Sequence, residues 1–179
     1  MDLGLQGKWA LVCGASKGLG LGCAQALVQE GVNVLIVARG LAALERSASR
    51  LVADYADKTG AAVQSCAEHT TTVDGRDAVF PMRQDFHIVV TNAGGPPPGN
   101  FRDWDRDAWI KAVDANMLTP IELIKATGDG MVERGFGDNT ALIGNGRRRT
   151  YKELSDWTNR LAHALVENYG VKPGNRVLL

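Results

Sequence analysis

The sequence has no excess of either charge, since its 20 lysines and arginines match its 20 aspartates and glutamates. A balanced chain has no overall field that attracts nucleic acid or an anionic membrane, so neither is expected as a partner. No segment reaches the roughly 18 apolar residues that a membrane span needs, and no basic stretch precedes an apolar one near Met1. These absences predict a cytoplasmic protein.

Cysteine is also scarce: Cys13, Cys23 and Cys66 are an odd number without CxxC spacing or a matching histidine pair. We therefore expect buried, reduced thiols and no metal site. Internal repeats and low-complexity tracts are missing. With 179 residues, 45% of them apolar and 22% charged, the chain suffices for one globular domain with a sizeable core but not for two ordinary ones.

Short apolar runs alternate with amphipathic stretches along most of the chain. Branched and apolar residues predict strands that are buried on both faces. The four predicted strands are WALVC at 9–13, VNVLIVA at 32–38, AAVQSC at 61–66 and HIVVT at 87–91. Strands that alternate with helices predict an α/β fold with a mostly parallel sheet covered on both faces.

Three helices are predicted from apolar residues at helical spacing. The first carries Leu19, Cys23, Ala26 and Leu27 and ends at Gly31, where a left-handed residue is favoured. The second carries Leu41, Leu44, Ala48, Leu51, Val52 and Tyr55, and the third runs from Trp104 by Trp109, Val113 and Leu118 toward Met131. Pro120 predicts a kink in the third, and the segment around Pro81 has no clear pattern.

The last quarter of the chain changes character near Gly137. TALIG at 140–144 predicts a strand, GNG a turn and RRTY the returning strand of a hairpin, unless TALIG instead becomes a fifth strand of the preceding sheet. Thr150 and Glu153 have capping-box spacing. The stripe Tyr151, Leu154, Trp157, Leu161, Leu165 and Tyr169 then predicts a helix, and VKPGNRVLL a final strand.

The stretch CGASKGLG, residues 13–20, lies where the first strand becomes the first helix. Its glycines, Gly14, Gly18 and Gly20, have GxxxGxG spacing. A pyrophosphate needs backbone N–H groups and the positive end of a helix, and side chains would block its close approach. Between an apolar strand and an amphipathic helix, this glycine trio predicts a dinucleotide site.

Arg39 ends the second strand, where an acidic residue would accept both hydroxyls of an NAD ribose. Arginine instead pairs bidentately with a 2′-phosphate, and Lys17 in the glycine loop adds a second positive charge. Two solvated surface charges are the alternative interpretation. Their joint position favours NADP over NAD as the cofactor.

Residues 1–137 resemble the short-chain dehydrogenase/reductase family in three motifs that occur in order: GASKGLG, NAG at 92–94 and DANMLTP at 114–120. The resemblance implies a Rossmann-type, doubly wound, mostly parallel sheet and hydride transfer between NADP and a small carbonyl or alcohol. It implies Asn116 as a catalytic, proton-relay asparagine. The implied cofactor-binding residues are Gly14, Ser16, Lys17, Gly18, Leu19, Gly20, Arg39, Glu68, Asn92, Ala93 and Gly94.

Two departures from the family pattern stand out. Glu68 and His69 occupy the place of an acidic residue and a small apolar one beside the adenine, so Glu68 still accepts from the adenine amino group while His69 is unexpected. His69 shares no ligand spacing with His87 or His163, which favours a partly exposed loop histidine over a metal ligand.

The second departure concerns the chemistry. The family's carbonyl reduction uses a tyrosine proton donor and a lysine four residues later, which lowers the pKa of the phenol from one helical turn away. Tyr55, Tyr151 and Tyr169 are followed at that distance by threonine, serine and proline, so the printed chain contains no YxxxK. Reduced or absent catalysis is therefore expected.

Residues 138–179 resemble the amino-terminal opening of the adenylate-forming acyl-CoA and aryl-CoA ligases, through TYKELSDWTNRLAHAL and GVKPGNRVLL. The phosphate-binding loop and the later ligase motifs do not occur, so ligase activity is not expected. We interpret the chain as a dinucleotide-binding domain over 1–137 joined to a ligase-like fragment over 138–179. A genomic fusion, a frame or assembly error and a deliberate join all fit such a seam.

Three functions stay open on this sequence. The first is an NADP-binding oxidoreductase-family protein without its acid catalyst. The second is a working oxidoreductase whose proton donor is Tyr151 or a residue of a partner subunit. The third is a truncated, fused, non-catalytic product that binds a dinucleotide weakly or not at all; homo-oligomers remain compatible with all three.

Overall fold

The computed structural model of the protein describes residues 3–95, 99–134, 140–144 and 147–150, and beyond these Lys152, Glu153, Asp156, Arg160, His163 and Glu167. The chain divides into two compact units, residues 1–130 and 131–179. Within the described part, no helix combines the length and apolar character required to cross a bilayer.

The first unit is built on a four-stranded parallel sheet. Its strands are β1 (Trp9–Cys13), β2 (Asn33–Val37), β3 (Val63–Cys66) and β4 (Ile88–Val90). Their order is β3-β2-β1-β4, and Ala10 of β1 lies opposite Val34 on one side and Ile88 on the other. The four predicted strands and their parallel arrangement are confirmed; β1 has the predicted bounds, and the other three strands are shorter than predicted by two residues each.

Alternate residues of the central strands face opposite sides of the sheet, and both sides are buried. One face packs against the helices that follow β1 and β2, and its buried set includes Ala10, Val12, Val34, Ile36, Ala24, Val28, Leu44 and Leu51. On the other face, Leu11, Cys13, Leu35 and Val37 form one buried cluster with Val79, Phe86 and Leu123. The near-continuous apolar runs of β1 and β2 follow from this double burial.

Helix α1 (Gly18–Gln29) follows β1 and has Glu30 as its C-cap; the next residue is Gly31, whose φ of 75° confirms the predicted left-handed position. The predicted apolar stripe is confirmed only at Leu27, which is half-buried and packs against the core, while the fully buried line is shifted by one residue to Gly20, Ala24 and Val28. Leu19 is 82% exposed and Cys23 is also exposed. Small residues on the buried line let the helix lie close to the strands.

Helix α2 (Leu41–Leu51) continues through one wider π turn, Val52–Ala56, into the short α3 (Asp57–Thr59). Leu44, Leu51 and Ala56 are buried, and the predicted Ala48 and Tyr55 pack at the edge of the same core. The other predicted members, Leu41 and Val52, are exposed.

A short helix, α4 (Val73–Val79), occupies part of the segment that showed no pattern in the sequence and runs into a 3₁₀ turn, Phe80–Met82. The Thr72 hydroxyl accepts a hydrogen bond from the Gly75 N–H at 3.1 Å and caps the helix. Val79 is the large apolar side chain that this helix buries. One such residue does not produce a helical pattern of apolar positions in the sequence.

The predicted third helix consists of α5 (Arg106–Val113), a π turn (Asp114–Leu118) and α6 (Thr119–Glu133). The wider turn comes directly before Pro120, which has no N–H to donate. Trp109, Val113 and Leu118 lie on exposed surface, while Thr119, Leu123 and Thr127 are the buried positions of α6. The predicted helical extent is thus confirmed, whereas the buried side is formed by other residues.

In the second unit, β5 (Thr140–Gly144) and β6 (Arg147–Thr150) pair antiparallel in a two-stranded sheet of their own. The predicted hairpin is confirmed, and its turn lies outside the described residues. Thr150 and Glu153 form the predicted capping box: the Thr150 N–H donates to Glu153 Oε2 at 2.9 Å, and the Glu153 N–H donates to Thr150 Oγ1 at 3.1 Å.

The polar positions Asp156, Arg160, His163 and Glu167 beyond the capping box are helical and exposed. The predicted apolar stripe of that helix and the final strand lie outside the described residues.

The cysteines are free, but only Cys13 is buried; Cys66 is half-buried and Cys23 is exposed. The expectation of three buried thiols was therefore wrong for Cys23, because it lies on the solvent side of α1.

Candidate functional site

A cleft of about 1160 Å³ opens at the carboxyl ends of the four parallel strands. Loops that follow β1, β2, β3 and β4 form one part of its wall, and residues of α5 and the following π turn form the rest. Ten of the predicted cofactor-binding residues line it: Gly14, Ser16, Lys17, Gly18, Leu19, Arg39, Glu68, Asn92, Ala93 and Gly94.

Gly20 and Asn116, also predicted for the site, are not among the residues that line the cleft. A Cβ on Gly20 would collide with the backbone carbonyl of Gly14, so Gly20 lets α1 approach the loop. Asn116, on the π turn, donates from its side-chain amide to the carbonyl oxygens of Gly94 at 3.3 Å and Ala112 at 3.1 Å. Both residues therefore support loops of the site without lining the cleft.

The other two glycines of the loop have positive φ, 62° at Gly14 and 61° at Gly18. A Cβ on Gly14 would also lie 2.5 Å from the Nδ2 of Asn92, whereas nothing lies within 4 Å of that position on Gly18. Gly14 is thus required by close packing and by its backbone angle, and Gly18 by its backbone angle alone.

Hydrogen bonds hold this glycine loop in place from three sides. The Ala15 N–H donates to the carbonyl of Val37 at 3.1 Å, and the Ser47 hydroxyl donates to the carbonyl of Ser16 at 2.9 Å. The Asn92 amide lies 3.4 Å from the carbonyl oxygens of Cys13 and Gly14. The role of Ser47 was not predicted from the sequence, because nothing about a serine on a helix indicates which loop its hydroxyl contacts.

The amino terminus of α1 faces the loop without a side-chain cap: Lys17 is the N-cap residue, its side chain makes no capping hydrogen bond, and the first turn contains no acidic residue. By contrast, Thr72 and Asp105 cap α4 and α5. The first-turn N–H groups and the positive end of the helix dipole are therefore available to an anion. The exposed Leu19 lies in the same turn.

Lys17 and Arg39 are both exposed and both line the cleft, one from the glycine loop and one from the end of β2. Among the described residues, neither has an ion-pair partner. Two cations that line one cleft suit a ligand that carries more than one phosphate.

Glu68 and His69 line the cleft just beyond the end of β3, and both are half-buried. Burial, and next the negative charge of Glu68, raise the pKa of the Cys66 thiol. Burial also raises the pKa of Cys13 to about 11, although a hydrogen bond with Thr70 lowers it. Both thiols therefore stay protonated at neutral pH, and neither is an activated nucleophile.

The cleft is also lined by four charged residues that were not predicted from the sequence: Asp105, Asp107, Lys111 and Asp114. Three of the four are acidic, so they make this part of the lining net negative. Such polar helix residues look like an ordinary solvated face, and only the fold brings them to the cleft.

His69 is the partly exposed loop histidine that the sequence analysis favoured. His87 accepts the Trp9 N–H through Nδ1 at 3.2 Å, and His69 is a loop residue of the cleft wall. Within the described residues, no group of three or more His, Cys, Asp or Glu side chains is arranged to hold a metal ion.

These features fit a dinucleotide. The glycine loop leaves space where side chains would block a phosphate, the helix end offers N–H donors, and two cations stand at the cleft. A parallel sheet whose first strand turns through glycines into such a helix defines the Rossmann-type class of α/β proteins.

The sequence model of the short chain dehydrogenase family matches residues 8–139. The chain therefore belongs to the short-chain dehydrogenase family. A model of AMP-binding enzymes matches residues 132–179 and overlaps the first match over residues 132–139.

Among similar proteins, an uncharacterized oxidoreductase, YvaG of Bacillus subtilis, is 28% identical over 137 residues, covering 76% of this chain and 51% of that protein. Inactive hydroxysteroid dehydrogenase-like protein 1 of Pongo abelii is 28% identical over 138 residues, covering 73% of this chain and 40% of that one.

Among solved structures, L-sorbose reductase of Gluconobacter frateurii, complexed with NADPH and L-sorbose, is 28% identical with a TM-score of 0.68, covering 75% of this chain and 51% of that one. The chain thus spans about half the length of the relatives it matches.

The tyrosine and lysine of the family's YxxxK pattern do not occur in the printed sequence. Tyr55 lies on the π turn after α2 and packs against the core rather than lining the cleft. Tyr151 and Tyr169 lie outside the described residues, so the suggestion of Tyr151 as a substitute donor stays a prediction.

Proposed function

We propose that this protein binds NADP in the cleft at the carboxyl ends of its strands, in preference to NAD. The observation that carries the proposal is that Lys17 and Arg39 line the same cleft as the glycine loop, with no acidic residue at the end of β2. An NAD ribose needs a carboxylate acceptor at that place, whereas a 2′-phosphate needs cations.

In this proposal the pyrophosphate lies at the amino terminus of α1, against the glycine loop from Gly14 to Gly20. Arg39 pairs with the 2′-phosphate, Lys17 adds charge beside it, and Glu68 accepts from the adenine amino group. Asn92, Ala93 and Gly94 form the wall below the nicotinamide half. The bound NADPH of the sorbose reductase supports the same type of cofactor.

We further propose that the family's reaction, hydride transfer to or from a small carbonyl or alcohol, is impaired in this chain. NADPH supplies the hydride when bound, but a carbonyl oxygen also needs a proton as it becomes an alcohol. No YxxxK provides that proton here. Asn116, whose side-chain amide donates a hydrogen bond to the carbonyl of Gly94, positions the loop after β4 in this proposal.

Fluorescence titration of the full chain with NADPH and NADH tests the cofactor proposal. We expect NADPH to bind at least about tenfold more tightly than NADH, since one charge-assisted phosphate contact contributes on the order of 1.5–3 kcal/mol. Failure to bind either dinucleotide at high micromolar concentration would end the proposal, and equal affinities would contradict the role of the two cations.

Turnover measured with NADPH and a panel of carbonyl compounds tests the catalytic part. We expect binding without appreciable turnover. If turnover does occur, Tyr151→Phe identifies the alternative donor, because only activity that depends on Tyr151 is lost in that variant.

The domain boundary at residue 137, the origin of the seam and a cytoplasmic location stay predictions. Sequencing the gene around codon 137 tests whether the join is natural.

A further inference from the structure

We infer that Ser47 is a positioning residue for the cofactor preference: its buried hydroxyl fixes the part of the glycine loop that carries Lys17, and so holds that cation at the site of the 2′-phosphate. The inference rests on the proposed binding of NADP, and it names a residue that does not itself line the cleft. Three observations carry it: the hydrogen bond that Ser47 makes, the place of that bond in the loop, and the helix on which Ser47 lies.

The hydrogen bond of Ser47 leaves its own helix. Its Oγ lies 2.9 Å from the carbonyl oxygen of Ser16 and 3.1 Å from that of Ala43, one turn earlier in α2. A hydroxyl has a single hydrogen to donate, and the shorter distance makes the loop carbonyl its principal acceptor. Ser47 is only 5% exposed, so water competes little for this bond.

The bond lies at the Lys17 end of the glycine loop. Among the described residues, the other hydrogen bonds that hold the loop involve residues 13–15, whereas Ser47 reaches Ser16. Because a peptide unit is planar and trans, the Ser16 carbonyl and the Lys17 N–H point in opposite directions. A carbonyl held toward α2 therefore also fixes the direction of the Lys17 N–H, and with it the backbone from which the lysine side chain extends.

Packing does not hold this part of the loop. Lys17 is exposed, and its side chain makes no capping hydrogen bond to α1. Gly18, the next residue, has a φ of 61°, and nothing lies within 4 Å of a Cβ built on it. Without the bond from Ser47, the backbone at Lys17 gains conformational freedom, which a bound phosphate then has to restrict.

The helix that carries Ser47 is itself fixed beside Arg39. Helix α2 begins two residues after Arg39, at the carboxyl end of β2. Leu44 and Leu51 lie on the same buried line of α2 as Ser47, one on each side of it, and both pack in the core. The Ser47 hydroxyl thus ties the segment that carries Lys17 to the helix that starts next to the second cation.

This connection matters for one part of the ligand. A 2′-phosphate gains from cations that are held in place before it binds, whereas the free ribose hydroxyl of NAD gains little from them. Loss of the Ser47 hydroxyl should therefore weaken NADPH more than NADH. A merely structural role would weaken both dinucleotides by the same factor, so the ratio of the two affinities distinguishes the two cases.

The experiment measures this ratio by fluorescence titration of the full chain with NADPH and NADH. In Ser47→Ala we expect the NADPH affinity to fall about fivefold and the NADH affinity by less than about twofold. Ser49→Ala is the matched control, because the exposed Ser49 lies on the same helix and donates at 2.9 Å to the carbonyl of Glu45, within α2. That variant should bind both dinucleotides as the wild type does.

A double-mutant cycle tests whether Ser47 acts through Lys17. In a Lys17→Ala protein, adding Ser47→Ala should change the ratio of NADPH to NADH affinity by less than about twofold, because the cation that it positions is gone. Ser47→Cys, which keeps a similar size but donates more weakly, should have a ratio between those of wild type and Ser47→Ala. Circular dichroism establishes that each variant is folded, and if Ser47→Ala is not, Ser47→Cys decides the outcome.

The inference is overturned if Ser47→Ala keeps the wild-type ratio or weakens both dinucleotides equally. It is also overturned if Ser47→Ala lowers the ratio as much in the Lys17→Ala protein as in the wild type. Failure of the proposed function looks different, since the wild type itself then binds neither dinucleotide or shows no preference for NADPH.

Discussion

The side-chain amide of Asn116 donates a hydrogen bond to the carbonyl oxygen of Gly94 across 3.3 Å and so joins the π turn between α5 and α6 to the loop after β4. We expect Asn116→Ala to lower the free energy of unfolding by about 1 kcal/mol and to weaken NADPH binding about fivefold, because the loop loses its support. Urea unfolding and fluorescence titration measure the two effects.

Asn33→Ala is the matched control for this prediction. Asn33 also makes two side-chain hydrogen bonds, to the carbonyl of Gly7 at 3.0 Å and from the N–H of Ala62 at 2.7 Å, but at the amino end of β2, away from the cleft. Its loss should reduce stability and leave NADPH affinity unchanged. Equal affinities of the Asn116 and Asn33 variants would contradict the supporting role of Asn116.

Alanine substitutions at two glycines of α1, Gly20 and Gly22, distinguish the effect of close packing from that of helix propensity. Gly20→Ala places a Cβ against the backbone of Gly14, so we expect a loss of about 1–3 kcal/mol in stability together with weaker NADPH binding. Gly22→Ala, with nothing within 4 Å of the added Cβ, should instead stabilise the protein by about 0.5–1 kcal/mol. Thermal unfolding of both variants checks the prediction, and a stable, tightly binding Gly20→Ala protein would refute the packing argument.

The preference for NADPH over NADH should depend on the charge at position 39, just after β2. Arg39→Asp replaces the cation with an acceptor for ribose hydroxyls, and we expect NADPH affinity to fall at least about tenfold while NADH affinity rises. Arg46→Asp makes the same charge change at an exposed residue of α2 that does not line the cleft. If both variants lose NADPH affinity equally, the effect comes from net charge and not from the site.

The buried thiol of Cys13 gives a pH signature. Its pKa is raised from the usual 9.0 to about 11, chiefly by burial, so between these values the unfolded chain releases a proton that the folded chain keeps. The contribution of Cys13 is therefore fully present below pH 9.0 and is lost as pH rises toward 11, by up to about 2–3 kcal/mol.

Urea unfolding at about pH 8 and about pH 11 measures this loss in the wild type and in Cys13→Ala. The alanine variant should lose less stability over that interval, and Cys23→Ala, at an exposed thiol, should lose as much as the wild type. Identical pH dependence in all three proteins would show that Cys13 does not contribute.

Features that depend on neighbours in sequence were predictable. The double burial of β1 and β2, the left-handed Gly31 and the Thr150–Glu153 capping box each follow from local residue types, and the structure contains all of them. The hairpin over 140–150 is equally local, and its self-pairing decided against TALIG as a fifth strand of the first sheet.

Features that depend on packing were not predictable in the same way. Counting large apolar residues selected Leu19 and Cys23 for the buried side of α1, whereas close approach to the sheet selects Gly20 and Ala24. A leucine that borders a cleft stays exposed, so hydrophobicity misassigns it. Asp105 and Lys111 reach the same cleft through the fold alone.

The sheet order also determines how the chain reaches its native state. Ala10 of β1 pairs with Val34 through one short crossover, but with Ile88 only after β2, β3 and four helices have been made. Non-local pairing pays a loop-closure entropy before it gains contacts, so β4 is expected to dock late. During synthesis on the ribosome, the glycine loop is thus finished only when the loop carrying Asn92 arrives, because the Asn92 amide closes it from the other side.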